Sequence, residues 1–146
     1  MHHLFQQIEQ HQQLPKHSST KIDFHQHDKW RIKQRKFQQI HAFAEHAALI
    51  LQNSHGIIDW CAGKGHLGRM LGKWFDKPIT AFELQQSLCI KGEKLAKRAK
   101  VNVSFVQCDL QIDKPYLPPQ NTLVAIHACG SLTDKAISLA IEHKTP

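Results

Sequence analysis

The residues best equipped for chemistry lie in one stretch, Ile57-Ile58-Asp59-Trp60-Cys61-Ala62-Gly63-Lys64-Gly65-His66-Leu67-Gly68. Four of the chain's seven glycines fall between positions 63 and 72. Glycine admits unusual backbone angles and lets a ligand approach the main chain. A helix that follows such a turn presents free N–H groups. Taken alone, Gly63-x-Gly65-x-x-Gly68, with Glu83 about 20 residues further on, fits a dinucleotide fingerprint. An NAD-dependent oxidoreductase is therefore the first candidate. Asp59 argues against it, because a pyrophosphate at this turn would meet a carboxylate. A carboxylate there suits a cationic amine or sulfonium instead. Asp109, in Phe105-Val106-Gln107-Cys108-Asp109-Leu110, adds a third acid that can accept a hydrogen bond from an adenine amino group. A glycine turn with three acids at successive strand ends fits S-adenosylmethionine (SAM) better than NAD.

The elements that must position these residues alternate. Short apolar runs starting near 57, 79, 103 and 122 read as strands. Between and after them, residues 66–75, 85–100 and 132–142 read as helices, the second with Leu88, Leu95 and Ala99 inward. The fourth strand is expected to cover 122–127. Such alternation implies α/β architecture with a mostly parallel sheet and right-handed crossovers. Ligands on such sheets bind at the carboxyl ends of the strands, where the strand order switches. Ahead of the sheet, Asp28 is placed to cap a helix over 29–52 whose apolar positions are Trp30, Phe37, Ile40, Ala44, Ala47 and Leu51. These steps of three, four and seven mark one helical face. Residues 1–28, rich in glutamine and histidine, read as a polar arm with a short helix near 4–13. Its scattered histidines repeat no ligand spacing, so no metal site is expected.

The turn resembles the first motif of class I SAM-dependent methyltransferases, with Cys61 where many members have their first glycine. A second segment, Ile126-His127-Ala128-Cys129-Gly130-Ser131-Leu132-Thr133-Asp134, resembles an H-x-C-G-x-x-T-D motif. That motif marks a methyltransferase-domain subgroup that includes tRNA 2′-O-methyltransferases. Lys36-x-x-Gln39-Ile40 is similar to a K-x-x-E-I element there, with Gln39 replacing the acid. The resemblance spans residues 29–142 and implies a Rossmann-like fold with SAM as cofactor. By position, Asp59, Cys61, Ala62, Gly63 and Gly65 would hold the methionine part. Glu83 would bind the ribose hydroxyls and Leu84 would pack on the adenine. Asp109 would face the adenine amino group, with Leu110 beside it.

His127 would lie beside the transferred methyl group. An imidazole there can act as general base for a hydroxyl acceptor, or can shape the site by hydrogen bonding. Cys129 offers covalent catalysis as on pyrimidine carbon 5, provided nearby positive charge activates it. His127 and Cys129 would share one face if both lie on a strand. Thr133 and Asp134 are expected to anchor the following helix.

Lysine and arginine total 19 against 12 acidic residues, a net charge of +7. This balance suits a polyanionic partner or a solvated basic surface. RNA is the expected acceptor, through Lys29, Arg31, Lys33, Arg35 and Lys36 on the leading helix and Lys91, Lys94, Lys97 and Arg98 on the later one. Methylation of a protein or small molecule, and a non-catalytic SAM-binding or interaction module, are the alternatives. No apolar run approaches the ~18 residues needed to span a bilayer. No signal core opens the chain, so its four cysteines are expected as reduced thiols in the cytoplasm. Only four strands are legible in the 146 residues, against seven in the resembling fold. The expectation is a truncated or split domain, Rossmann-like from residue 56 to 146. It would expose an apolar edge near Val124 and need a partner chain to complete it.

Overall fold

The computed structural model describes residues 21–22, 29 and 31–146. Apart from Lys21 and Ile22, the arm with its short helix, the Asp28 cap and Trp30 lie outside the described residues. The elements are α1 (Gln34–Asn53), β1 (Gly56–Asp59), α2 (His66–Phe75), β2 (Ile79–Glu83), α3 (Gln86–Ala99), β3 (Val103–Gln107), β4 (Asn121–Val124) and α4 (Ser131–His143). The four strands form one parallel sheet in the order β3-β2-β1-β4. The chain moves outward from β1 to β2 to β3, then crosses back to place β4 on the other side of β1. The strand order therefore switches between β1 and β4.

Because successive strand residues point to opposite faces, Ile57 and Ile58 serve two separate cores. Ile57 packs with Phe37, Ile40, Leu51, Leu67, Met70, Leu71 and Ile79 under α1 and α2. Ile58 packs with Trp60, Phe82, Leu110, Leu117, Ala136 and Leu139 under α4. The two cores meet β1 from both sides, and every residue of β1 is buried. Trp60, fully buried, donates from Nε1 to the Leu132 carbonyl at 3.1 Å, tying the end of β1 to the first turn of α4.

Four expectations need correction. The leading helix starts at Gln34 rather than at 29. Arg31 is left-handed (φ 63°) and Lys33 extended, and both conformations are incompatible with helix continuing through them. Its buried face runs through Phe37, Ile40, Ala44, Ala48 and Leu51, with Ala48 in place of Ala47. Strand β4 ends at Val124, not at 127: the Val124 carbonyl accepts from Trp60 N at 2.9 Å, and the ladder stops there. Val124 itself is only 4% exposed, but an open apolar cleft lined by Leu123, Ala125, Ala136, Ile137 and Ala140 runs along β4, so an apolar edge does lie near it, as expected. On that open side of β4, Leu123 N donates to the Pro146 carbonyl at 2.7 Å.

The fourth correction concerns α3, which buries Cys89, Gly92 and Ala96 rather than Leu88, Leu95 and Ala99. Small residues face the sheet because the Phe105 ring of β3 fills the space between α3 and the β1–α2 turn. A Cβ on Gly92 would lie 2.1 Å from Phe105 Cζ, and one on Gly65 2.6 Å from the same atom. The ring is thus boxed in from both sides. Gly92→Ala gains helix propensity of about 1 kcal/mol but drives a Cβ into the half-buried Phe105 ring, an overpacking cost of roughly 1–3 kcal/mol. Net destabilisation is expected in urea unfolding, with partial recovery when Phe105→Leu is added. A Gly92→Ala chain more stable than wild type would disprove the packing account.

Candidate functional site

The β1–α2 turn reverses the chain through three left-handed residues, Cys61 (φ 57°), Gly63 (φ 60°) and Gly65 (φ 64°). Two glycines adopt this conformation without strain. Cys61 carries a side chain there, at a cost of roughly 1–2 kcal/mol, and this explains why glycine is common at the matching position in the resembling enzymes. The turn is closed by Gly65 N donating to Ala62 O at 2.8 Å, and held to the sheet by Ala62 N donating to Phe82 O at 2.9 Å.

Two carboxylates fix the turn from below. Asp59 Oδ2 accepts from Gly68 N at 2.8 Å. Gly68 is the third residue of α2, so the acid satisfies one of the amides that a helix start leaves unpaired and sits against the positive end of the helix dipole. Gly68 must lack a side chain, because a Cβ would lie 2.9 Å from Asp59 Oδ2 and 2.7 Å from Ile79 Cγ2. Glu83, at the end of β2, accepts from Gly63 N (2.8 Å, Oε2) and from Gln85 N (2.9 Å, Oε1). It thereby joins the β1 turn to the β2 turn. Each carboxylate oxygen has two lone-pair sites, so both Glu83 oxygens keep capacity for further donors such as ribose hydroxyls.

Asp59 is 2% exposed. Burial pushes its carboxyl up from the ordinary 3.8 to about 7, against the Gly68 amide and Lys36, which favour the anion; Glu83 adds to the upward push. Burial also raises the Cys61 thiol, and the negative charges of Glu83, Asp59 and Cys129 act in the same direction.

The other sequence-predicted residues fall as follows. Leu84 is 55% exposed beside Glu83, an apolar surface open to a planar ligand. Asp109 closes the turn after β3, its Oδ1 accepting from Gln111 N at 3.0 Å, while Asp113 Oδ2 accepts from Asp109 N at 2.8 Å. Leu110 is buried in the core under α4 and its side chain serves packing. His127 and Cys129 lie beyond β4, so the shared strand face expected for them does not form. His127 is left-handed (φ 72°), and the Cys129 thiol donates to its carbonyl at 3.7 Å rather than to its ring. Thr133 does anchor the loop, its Oγ1 donating to the Ala128 carbonyl at 2.7 Å. Beyond their chain neighbours, neither Gly63 nor Gly130 has any atom within 4 Å of where a Cβ would sit. The turns after β1 and β4 thus stay open at the switch in strand order, the place where parallel sheets take ligands.

Of the basic residues, Arg31, Lys91 and Lys94 converge on one cleft with Lys64 and His66 of the glycine turn, to which residue type and spacing assign no such role. Lys29 instead lies over the Phe37 ring, 5.5 Å from its centroid. Lys36 is half-buried and close enough to act on Asp59 and His66. Lys33, Arg35, Lys97 and Arg98 are exposed outside the cleft. The packing of Gly92 on Phe105 has one signal in the sequence, a glycine in a helix interior, which costs stability unless packing demands it.

A methyltransferase-domain family model matches residues 35–146, and the chain belongs to that family. A glutathione S-transferase C-terminal domain-containing protein of Xenopus laevis is 29% identical over 111 residues, covering 74% of this chain and 18% of that protein. The chain thus spans less than a fifth of that relative. Among solved structures, an rRNA methylase from Streptococcus thermophilus superposes with a TM-score of 0.59 at 18% identity, covering 77% of this chain and 66% of that one. An RNA methyltransferase from Salinibacter ruber, in complex with S-adenosyl-L-homocysteine, gives 0.55 at 18% identity over 76% of this chain and 69% of that one. Magnesium protoporphyrin IX methyltransferase from Synechocystis, with S-adenosyl-L-homocysteine bound, gives 0.56 at 13% identity over 70% and 50%. The fold is the Rossmann-like methyltransferase fold. No helix among the described residues is long and apolar enough to cross a membrane.

The buried acid predicts a pH dependence of stability. The folded-state value of Asp59, about 7, lies above the ordinary 3.8 expected when unfolded. Between these values the folded chain holds a proton that the unfolded chain releases, so stability falls as pH rises through this window. Wild type should lose about 2–3 kcal/mol relative to Asp59→Asn between pH 5 and pH 8, read from urea midpoints. Parallel pH profiles for the two chains would refute the assignment.

Proposed function

We propose that this domain binds SAM at the β1–β4 switch and serves methyl transfer to RNA. The observation that carries the reading is the pair of carboxylates, Asp59 and Glu83, holding a left-handed glycine turn whose backbone is open at Gly63. SAM, when bound, supplies an electrophilic methyl group on a sulfonium centre. Asp59 and the turn backbone at Ala62, Gly63 and Gly65, open at Gly63, would receive its cationic amine end. Glu83 would accept from the ribose hydroxyls, Leu84 would cover the adenine, and Asp109 would take the adenine amino group.

The acceptor reading rests on the net charge of +7 and on the resemblance of His127 to Asp134 to the tRNA 2′-O-methyltransferase segment. Two of the structural neighbours are RNA methylases by name, which adds support. His127 would take the proton of the acceptor hydroxyl, while Gly130 leaves the approach open. Alignment of acceptor and methyl group accounts for much of the rate in such displacements.

Calorimetry should show SAM binding by wild type. Glu83→Ala should weaken it about tenfold or more, because it removes charged hydrogen bonds worth roughly 1.5–3 kcal/mol each. Folded protein that binds no SAM would refute the cofactor reading. Incubation with tritiated SAM and total RNA, and separately with protein extract, should label RNA alone. His127→Ala should lower that labelling about 100-fold or more with SAM affinity nearly unchanged. Label in protein or small molecules instead would overturn the acceptor assignment.

A further inference from the structure

A basic cleft of about 240 Å³ lies beside the glycine turn, lined by Arg31, Lys64, His66, Lys91, Lys94 and Leu95. Its cations come from three separate parts of the chain: the segment before α1, the β1–α2 turn, and α3. Among the described residues, no acidic side chain lines it. Lys91 and Lys94 are three apart on α3 and so share a helical face. Like charges brought together repel, and an anion between them relieves that repulsion.

His66 adds a donor of another kind. Arg69 Nη2 lies 3.2 Å from His66 Nδ1. A guanidinium can only donate, so Nδ1 accepts and the neutral ring carries its proton on Nε2. The ring does stay neutral: burial, then Arg69, Lys36 and Lys64, push it down from 6.5 to about 4. The cleft thus combines ammonium groups with one neutral N–H donor, and Leu95 supplies an apolar wall. Lys64 stands between Gly63 and Gly65, so the cleft adjoins the turn assigned to the cofactor.

We infer that this cleft holds a backbone phosphate of a single-stranded RNA acceptor and so anchors the strand beside the glycine turn. The inference rests on the RNA reading above and adds a specific docking point to it. Lysines supply the charge, the His66 N–H adds a directed hydrogen bond to a phosphate oxygen, and Leu95 packs against the sugar.

The test compares two double variants of the full chain, each losing two positive charges. Lys91→Gln/Lys94→Gln alters the cleft; Lys114→Gln/Lys144→Gln alters exposed sites outside it. Unchanged SAM affinity in both reports an intact fold. Binding of a short labelled single-stranded oligoribonucleotide is followed by anisotropy across a salt series. The cleft variant should lose about tenfold or more in affinity. Its salt slope should fall by about 0.7, the value for one phosphate contact on a single strand. The control variant should lose less than about twofold. Titration of wild type with the same oligonucleotide should move the NMR resonances of His66 and raise its pKa. If wild type binds SAM but not the oligonucleotide at low salt, the RNA reading itself fails. If it binds the oligonucleotide and the two variants lose equally, or His66 does not respond, the cleft assignment alone is overturned.

Discussion

The contact between the Asp59 carboxylate and the Gly68 amide organises this domain. It forces α2 to begin directly above the end of β1, and it succeeds only because residue 68 has no side chain. With that start fixed, the five residues between Trp60 and His66 must reverse the chain within a short span. Three of them adopt left-handed backbone to do so. The second carboxylate, Glu83, then reaches under the turn to Gly63 and stops it from folding away from β2. The glycine turn is therefore held in shape by the sheet before any ligand arrives, and its outer surface stays open.

Much of the fold was legible because strand and helix periodicities are local. The starts of β1, β2, β3 and β4 were placed to within a residue, since apolar runs bounded by Gly56, Pro78 and Pro119 leave little latitude. What failed to show were features set by contact between elements. Hydropathy ranks Leu88 and Leu95 above Gly92, yet Gly92 faces the sheet because only a glycine can approach the Phe105 ring so closely. The run from 122 to 127 is apolar enough for strand, but the ladder has no partner on β1 beyond the bond from Trp60 to Val124. The conformations of Arg31 and Lys33 carry no signature in residue type, so the helix was read too early.

The site divides in the same way. The acids at strand ends were readable, because a carboxylate beside a glycine turn is informative about ligand charge whatever its detailed partners. Their structural burden was not. Asp59 and Glu83 read as ligand-binding groups, and the structure gives each a backbone amide to hold as well. Cys61 is the converse case: its departure from glycine was visible, while the left-handed angle that makes the departure costly was not. His127 and Cys129 were expected to face each other across a pleat, a relation that depended on strand continuing through them.

The arrangement of charge follows from these placements. The acids sit on strand ends and point beneath the glycine turn, whereas Lys64 leaves the turn outward and meets Lys91 and Lys94 from α3. One turn thus separates a negative floor from a positive flank. On the proposed reading, a cationic sulfonium ligand and an anionic nucleic acid have opposite requirements, and both approach the same turn. Mixed charge on one surface would weaken attraction for each. Separation across a turn whose glycines fix the backbone lets the two partners sit side by side on surfaces of opposite sign. Asp59 strengthens this division when its proton leaves, since a cation beside it favours the ionised form that burial opposes. A cation bound beside Asp59 would therefore make the floor more negative without altering the basic flank proposed for the acceptor.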